Sequence, residues 1–180
     1  MTSFKSSVFI LPGLGNSGSG HWQTIWEELY GFKRIQQSDW DTPVCEDWIT
    51  TMEASLTDQN CEEVILVAHS LACTTVAAWA ARYQHRIKGA LLVALSDTEA
   101  KSYPPGTTGF NPMHLNRLPF PSIAVTSNDD FYVTAARAKY FTDCWGSEFI
   151  NIGNAGHINV ASGHGHWPEG IELLQRIDHW

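Results

Sequence analysis

Basic residues are scarce in this chain. Eleven Lys and Arg stand against 19 Asp and Glu, so its 180 residues carry a net charge of −8. With no basic stripe to displace counterions from a phosphate backbone, a nucleic-acid partner is excluded. The same balance favours solubility. Long apolar runs are missing too: none reaches the ~20 residues that a spanning helix needs, so no membrane partner is expected. The amino end, MTSFKSSVFILPGLG, offers one lysine and a four-residue apolar run before Pro12, which does not read as a signal peptide. The four cysteines, Cys45, Cys61, Cys73 and Cys144, form no CxxC pair. They are expected to be reduced, in a cytoplasmic protein, with Cys73 a small buried hydrophobe.

What is present is one informative stretch, Val64-Ile65-Leu66-Val67-Ala68-His69-Ser70-Leu71-Ala72-Cys73. It reads as a buried strand, a sharp turn and an Ala-rich helix over Leu71–Arg82, with Ser70 at the apex. The form small-x-Ser-x-small matches a nucleophile elbow, usually written with glycine at both outer positions. Here those positions are Ala68 and Ala72, the next smallest choice where strand and helix nearly touch. A plain strand–helix junction with serine as the helix cap would look similar. The distinction rests on whether an acid and a base follow in the order a hydrolase needs.

Length suits one domain, 1–180, with little to spare for a lid or cap. Val8–Leu11 reads as a central strand. It runs into a loop, 12–20, with four glycines in nine residues. After these glycines come His21-Trp22 rather than the Lys-Ser/Thr of a phosphate-binding loop, and GxGxxG is matched only in a loose register without a helix at its middle glycine. No nucleotide cofactor is expected. Spacing of Trp22, Ile25, Trp26 and Leu29 predicts a helix over 21–30 with those residues on one face. A weak polar strand follows at 32–37, then a turn at 39–43. A helix over 46–56 presents Trp48, Ile49, Met52 and Leu56. Residues 87–95 form a continuous apolar run, as expected of a parallel strand covered on both faces. The irregular segment 96–120 is the one excursion long enough to shape a pocket, with Tyr103, Phe110, Met113 and Leu115 as its apolar material. Strand 122–126, helix 133–141, strand 148–152 and helix 168–177 complete the chain. The last helix turns Trp167, Ile171, Leu174 and Ile177 inward. Six strands alternating with helices predict an open, mostly parallel α/β sheet, whose ligands bind beyond the carboxyl ends of the strands.

The polar candidates all sit at such ends: the loop at Gly13, Ser70, Asp129 or Asp130, and His157. A hydroxyl needs a base to become nucleophilic, and an imidazole serves near neutral pH when a carboxylate holds its tautomer. Ser, acid, His is the α/β-hydrolase order. The pattern alone leaves Asp129 and Asp130 open: one faces the histidine while the other caps the helix beginning near Val133. Asp97 reads as a turn former. Backbone N–H groups of Leu71 and Leu14 are the expected oxyanion donors. His69 is expected to be structural or pocket-lining, since adjacency to Ser70 is the wrong geometry for its base. His164 and His166 raise metal binding, but zinc sites need three or four ligands on held elements and this pair lies in a loose Gly-rich segment, so no metal is expected.

With those residues placed, the chain resembles the small serine hydrolases related to retinoblastoma-binding protein 9 and the bacterial YdeN-type proteins. The pieces carrying the likeness are PGLGNSGSGHWQTIWE at 12–27, QSDWDTP at 37–43, VAHSLAC at 67–73, SNDDFY at 127–132 and AGHINVASGHGHWPEG at 155–170. The resemblance implies an α/β-hydrolase fold in its minimal form, without a large cap. It implies nucleophile Ser70, base His157 and acid Asp130, and gives His21 and Trp22 pocket or loop-anchoring roles. Ala72 departs from the glycine the family often has there. The implied activity is hydrolysis of a small-molecule ester with a short acyl group. A thioesterase, acyltransferase or peptidase of the same fold, or a non-catalytic interaction module on it, is the alternative. Oligomeric state is left open.

Overall fold

The structure is a computed structural model that describes residues 3–180. Its elements are β1 (Ser7–Leu11), α1 (Trp22–Tyr30), β2 (Lys33–Arg34), α2 (Cys45–Leu56), β3 (Val64–His69), α3 (Leu71–Tyr83), β4 (Gly89–Val93), β5 (Ser122–Thr126), α4 (Ala135–Trp145), β6 (Glu148–Asn151) and α5 (Pro168–Asp178). The six strands form one sheet in the order β2-β1-β3-β4-β5-β6, and every neighbouring pair is parallel. From β1 the chain moves out to the β2 edge and then returns across β1 to β3. The order therefore reverses between β1 and β3, and a crevice opens beyond their carboxyl ends, where ligands of such sheets bind. This is the minimal α/β-hydrolase architecture, with no large cap.

Alternation along the strands divides the core into two layers. Val8, Ile10, Ile65, Val67, Leu91, Val93, Ile123 and Val125 face α1 and α5. Phe9, Leu11, Leu66, Ala68, Ala90, Leu92 and Ala124 face the helices α2, α3 and α4. Both faces are covered, which is why the interior positions of the central strands are apolar and their polar residues, Ser7, His69, Ser122 and Thr126, stand at strand ends. The edges differ: β2 is only Lys33-Arg34, and β6 is EFIN with both ends exposed. Short, charged edges resist pairing with another chain.

The helices follow their stripes with some shifts. In α2, Trp48, Ile49, Met52 and Leu56 are buried together with Cys45. In α5, Ile171, Leu174 and Ile177 are buried, and Gly89 lets this helix approach the sheet: a Cβ there would lie 2.7 Å from Ile177 Cγ2. In α1, Trp22, Gln23 and Trp26 are buried, but Leu29 is 60% exposed. The last turn of α1 runs past the core, so the expected four-residue stripe ends at Trp26. The helix stops at Gly31, whose φ of 71° suits glycine and whose N–H returns to Glu27 O. The expected strand over 32–37 shrinks to two residues, because only Lys33 and Arg34 pair with β1.

Segment 96–120 lines a cavity of about 400 Å³ with Thr98, Tyr103, Thr107 and Phe110, but most of its apolar side chains pack inward. Phe110 and Met113 are buried in the core beside α2, and Leu115 packs against it. The backbone of Thr108 bonds to Pro43 O and Cys45 N, tying this segment down. Tyr103 is the member that reaches the site described below. Asp97 does form a turn, accepting from Glu99 N, but it is also buried and grips Arg137 at 2.7 and 3.1 Å. No helix among the described residues is long and apolar enough to cross a membrane.

Candidate active site

Ser70 sits between β3 and α3 with φ 59° and ψ −124°. A non-glycine residue is rarely found there, and such strain costs on the order of 1–3 kcal/mol. Packing enforces it. Ala68 and Ala72 are buried on either side, and Ser70 N–H donates to Val93 O at 3.0 Å. Gly13 presses from the β1 loop: a Cβ on it would lie 2.8 Å from Ser70 Cβ and 2.9 Å from His69 O. Gly13 is therefore small because its loop lies directly against the elbow. Leu71 begins α3, so its N–H has no acceptor within the helix. Leu14 N–H also makes no hydrogen bond to the protein among the described residues.

His157, in the loop after β6, bridges nucleophile and acid. Its Nε2 is 2.9 Å from Ser70 Oγ, and its Nδ1 is 2.9 Å from each carboxylate oxygen of Asp130. The Asp130 side chain is fully buried. Because the carboxylate only accepts, the Nδ1 proton is directed to it and Nε2 is left to accept from Ser70. Asp130 is fixed by accepting from Tyr132 N–H at 2.9 Å. Asp129 points elsewhere: it accepts from Gly156 N–H at 2.8 Å, which holds it below the ordinary carboxylate range and ties the acid loop to the histidine loop. Neither aspartate caps α4. Its cap is Thr134, which accepts from Arg137 N–H, so the helix starts at Ala135 rather than Val133.

Two further histidines pack towards His157: His69 against its ring and His21 against His69. His69 is buried and donates from Nε2 to His157 O at 2.9 Å. Burial first, then His157 and His21, hold its pKa well below the ordinary value. His21 caps α1 by accepting Gln23 N–H at its Nδ1, and burial, then Arg34 and His157, lower its pKa to about 4. Trp22 is wholly buried and donates to Ile158 O at 2.8 Å, so it anchors the histidine loop from outside the cavity. Ile158 itself is held at φ 45°, a second strained residue directly beside His157.

Sequence reasoning missed three contributors. Ser96, just past β4, is buried with its Oγ 2.9 Å from Ser70 Oγ. Gln23 is buried and donates to Leu11 O and Val67 O, fastening α1 across the crevice between β1 and β3. Tyr132 packs its ring 4.6 Å from that of His157. Their signal was position alone: Ser96 and Tyr132 lie in the loops leaving the carboxyl ends of β4 and β5, and Gln23 on the first turn of α1. Ser70, His157, Leu14, Tyr103, Tyr132 and Asn159 border a cavity of about 140 Å³. His164 and His166 lie in a separate, wider depression with Asp129 and Glu169. Among the described residues, no group of three His, Cys, Asp or Glu side chains could hold a metal.

Over residues 8–176 the sequence matches the family described as serine hydrolase. Among solved structures, a YdeN-like hydrolase from Pectobacterium atrosepticum is 27% identical with a TM-score of 0.85, over 96% of this chain and 90% of that one. The ydeN gene product of B. subtilis is 20% identical with a TM-score of 0.79, over 98% of this chain and 100% of its own. A monoacylglycerol lipase from Paleococcus ferrophilus shares the fold at 11% identity, with a TM-score of 0.72 over 99% and 96% of the two chains. No match was found among curated proteins. A serine poised on a strained elbow, in contact with an imidazole that a buried carboxylate orients, agrees with the family match across nearly the whole chain: the chain belongs to the serine hydrolase family.

Proposed function

We propose that the protein hydrolyses small or short-acyl carboxylic esters through an acyl-enzyme on Ser70. The observation that carries this is the single imidazole of His157, 2.9 Å from both the Ser70 hydroxyl and the Asp130 carboxylate. In this reading Ser70 Oγ attacks the ester carbonyl as its proton passes to His157 Nε2. The buried Asp130 carboxylate stabilises the imidazolium. The tetrahedral oxyanion accepts from Leu71 N–H and Leu14 N–H, donors fixed before the reaction begins. His157 then protonates the departing alcohol. Water, deprotonated by His157, attacks the acyl-enzyme, releases the acid and restores Ser70.

A cavity of about 140 Å³ supports a short acyl group, since drug-sized ligands fill pockets of roughly 300–1,000 Å³. The likeness to relatives of retinoblastoma-binding protein 9 rests on the same motif pieces. Four free cysteines support a cytoplasmic location. The chain then works as one catalytic domain.

The test is intact mass after exposure to a fluorophosphonate probe, followed by peptide mapping. The expected result is one adduct, on Ser70, absent from a His157→Ala protein. Folded protein that takes no adduct would overturn the reading in favour of a scaffold that binds without turnover.

A further inference from the structure

Three side chains at the cavity have their acceptor atoms already committed. Asn16 Oδ1 accepts from Ser17 N–H and from Arg34 Nη1, both at 2.8 Å. Asn159 Oδ1 accepts from Ser162 N–H at 3.2 Å. His21 Nδ1 accepts from Gln23 N–H at 3.2 Å. A backbone N–H can only donate, so each contact fixes which end of the side chain is the acceptor. The opposite ends are therefore donors: Nδ2 of Asn16, Nδ2 of Asn159 and the Nε2–H of His21. None of these makes a hydrogen bond to the protein among the described residues, and none is sealed from solvent. All three residues border the cavity that holds Ser70. His21 is 6% exposed and stays neutral, so the set is an uncharged group of N–H donors next to the nucleophile.

We propose that this donor set, Asn16, His21 and Asn159, selects acyl groups that carry an acceptor oxygen close to the scissile carbonyl. The inference rests on the ester-hydrolase reading above and names its substrate class: short oxygen-substituted acids, such as alkoxy, hydroxy or oxo acids, rather than plain alkanoic acids. An all-carbon chain filling so small a space strips water from the donors and returns nothing. An oxygen at the same place accepts from them. A site built to hydrogen-bond a polar group discriminates against the analogue that lacks it far more strongly than an apolar pocket discriminates by size.

The experiment compares 4-nitrophenyl methoxyacetate with 4-nitrophenyl butyrate, which differ by an oxygen in place of one CH₂. Each kcat/KM is divided by the ester's hydroxide-catalysed rate constant, which removes intrinsic reactivity. The expected normalised preference for methoxyacetate is about tenfold or more, one lost hydrogen bond's worth. Asn16→Asp and Asn159→Asp keep the acceptor bonds that order their loops but replace the donor, and His21→Ser keeps a helix cap while removing the ring. Each should reduce the preference several-fold. Equal normalised rates for the two esters, or a preference unchanged in all three variants, would overturn the inference while leaving the hydrolase reading intact. Failure of folded protein to turn over either ester would instead overturn the hydrolase reading, and this inference with it.

Discussion

Ser96 Oγ lies 2.9 Å from Ser70 Oγ, the same separation that Ser70 has from His157 Nε2. The nucleophilic oxygen thus has two partners. Its proton is directed to the imidazole, so Ser96 donates to a lone pair of Ser70. That bond fixes the Ser70 rotamer and steadies the oxygen as its proton leaves. Ser96→Ala is expected to lower kcat by about tenfold, the scale of one hydrogen bond of 1–1.5 kcal/mol, with KM little changed. Steady-state kinetics on a short aryl ester checks this. An equal fall in kcat/KM that came wholly from KM would mean that Ser96 holds substrate rather than the nucleophile.

The adjacent aspartates separate cleanly by partner. Asp130 meets His157 Nδ1 with both oxygens, whereas Asp129 meets the backbone of Gly156. Asp130→Asn presents an amide N–H where an acceptor is needed and disfavours the working tautomer. The expected loss in kcat is on the order of 10³–10⁴-fold, as when a triad acid is neutralised. Asp129→Asn retains an acceptor oxygen for Gly156 N–H and should cost less than about tenfold. Pre-steady-state acylation rates for the two variants decide the matter, and the reverse ranking would shift the acid by one position.

Two histidines beside the base make stability depend on pH. His21 falls from 6.5 to about 4 in the fold, mainly through burial and then through Arg34 and His157, and buried His69 is lowered as well. Below pH 6.5 the unfolded chain binds protons at these rings that the folded chain does not. Their stabilising contribution is thus fully present above pH 6.5 and is lost as pH falls towards 4. For His21 alone the loss is about 2–3 kcal/mol. The lowered carboxylates, Asp39, Asp129 and Asp178, start from 3.8 and act below this window. Urea unfolding at pH 7.0 and 4.5 should show the fall, and His21→Asn should flatten it. An unchanged slope in that variant would mean that His21 is protonated in the fold.

How much of this was legible follows from how local each signal is. Ser70, His157 and the pair Asp129/Asp130 could be found because each follows a strand, and three strand ends in one order are hard to produce by chance; the choice of Asp130 within the pair came only from the family resemblance. The elbow strain at Ser70 was implicit in the small residues around it. Ser96 was not legible: its contact depends on β4 lying beside β3, a register that no local pattern records, with His69 opposite Val93. Gln23 was hidden for a related reason. A polar residue beside Trp22 reads as the outer face of an amphipathic helix, yet it is buried because the two carbonyls it caps, Leu11 O and Val67 O, belong to different strands. Leu29, Phe110 and Met113 went the other way, since apolar character does not say whether a residue meets core, cavity or solvent.

Gly13 tests whether the oxyanion site lies where Leu14 and Leu71 put it. A methyl on Gly13 would meet Ser70 Cβ at 2.8 Å, His69 O at 2.9 Å and Leu71 N at 3.1 Å. All three belong to the strained elbow, which has no slack, so the β1 loop has to retreat. That retreat moves Leu14 N–H away from Leu71 N–H and places the methyl beside the latter. Gly13→Ala is expected to cut kcat by about 10²-fold or more, the scale of losing one oxyanion donor. Gly15 is the control in the same loop. Its φ of 77° strains any side chain, but no atom lies within 4 Å of a Cβ built there. Gly15→Ala should therefore lower stability by about 1–2 kcal/mol, seen in thermal melts, with a far smaller effect on kcat. If the two variants lost activity equally at matched fractions folded, loop strain would control turnover and the donor would not be Leu14 N–H. If only Gly13→Ala lost it, the close approach of this loop to Ser70 is what makes the elbow catalytic.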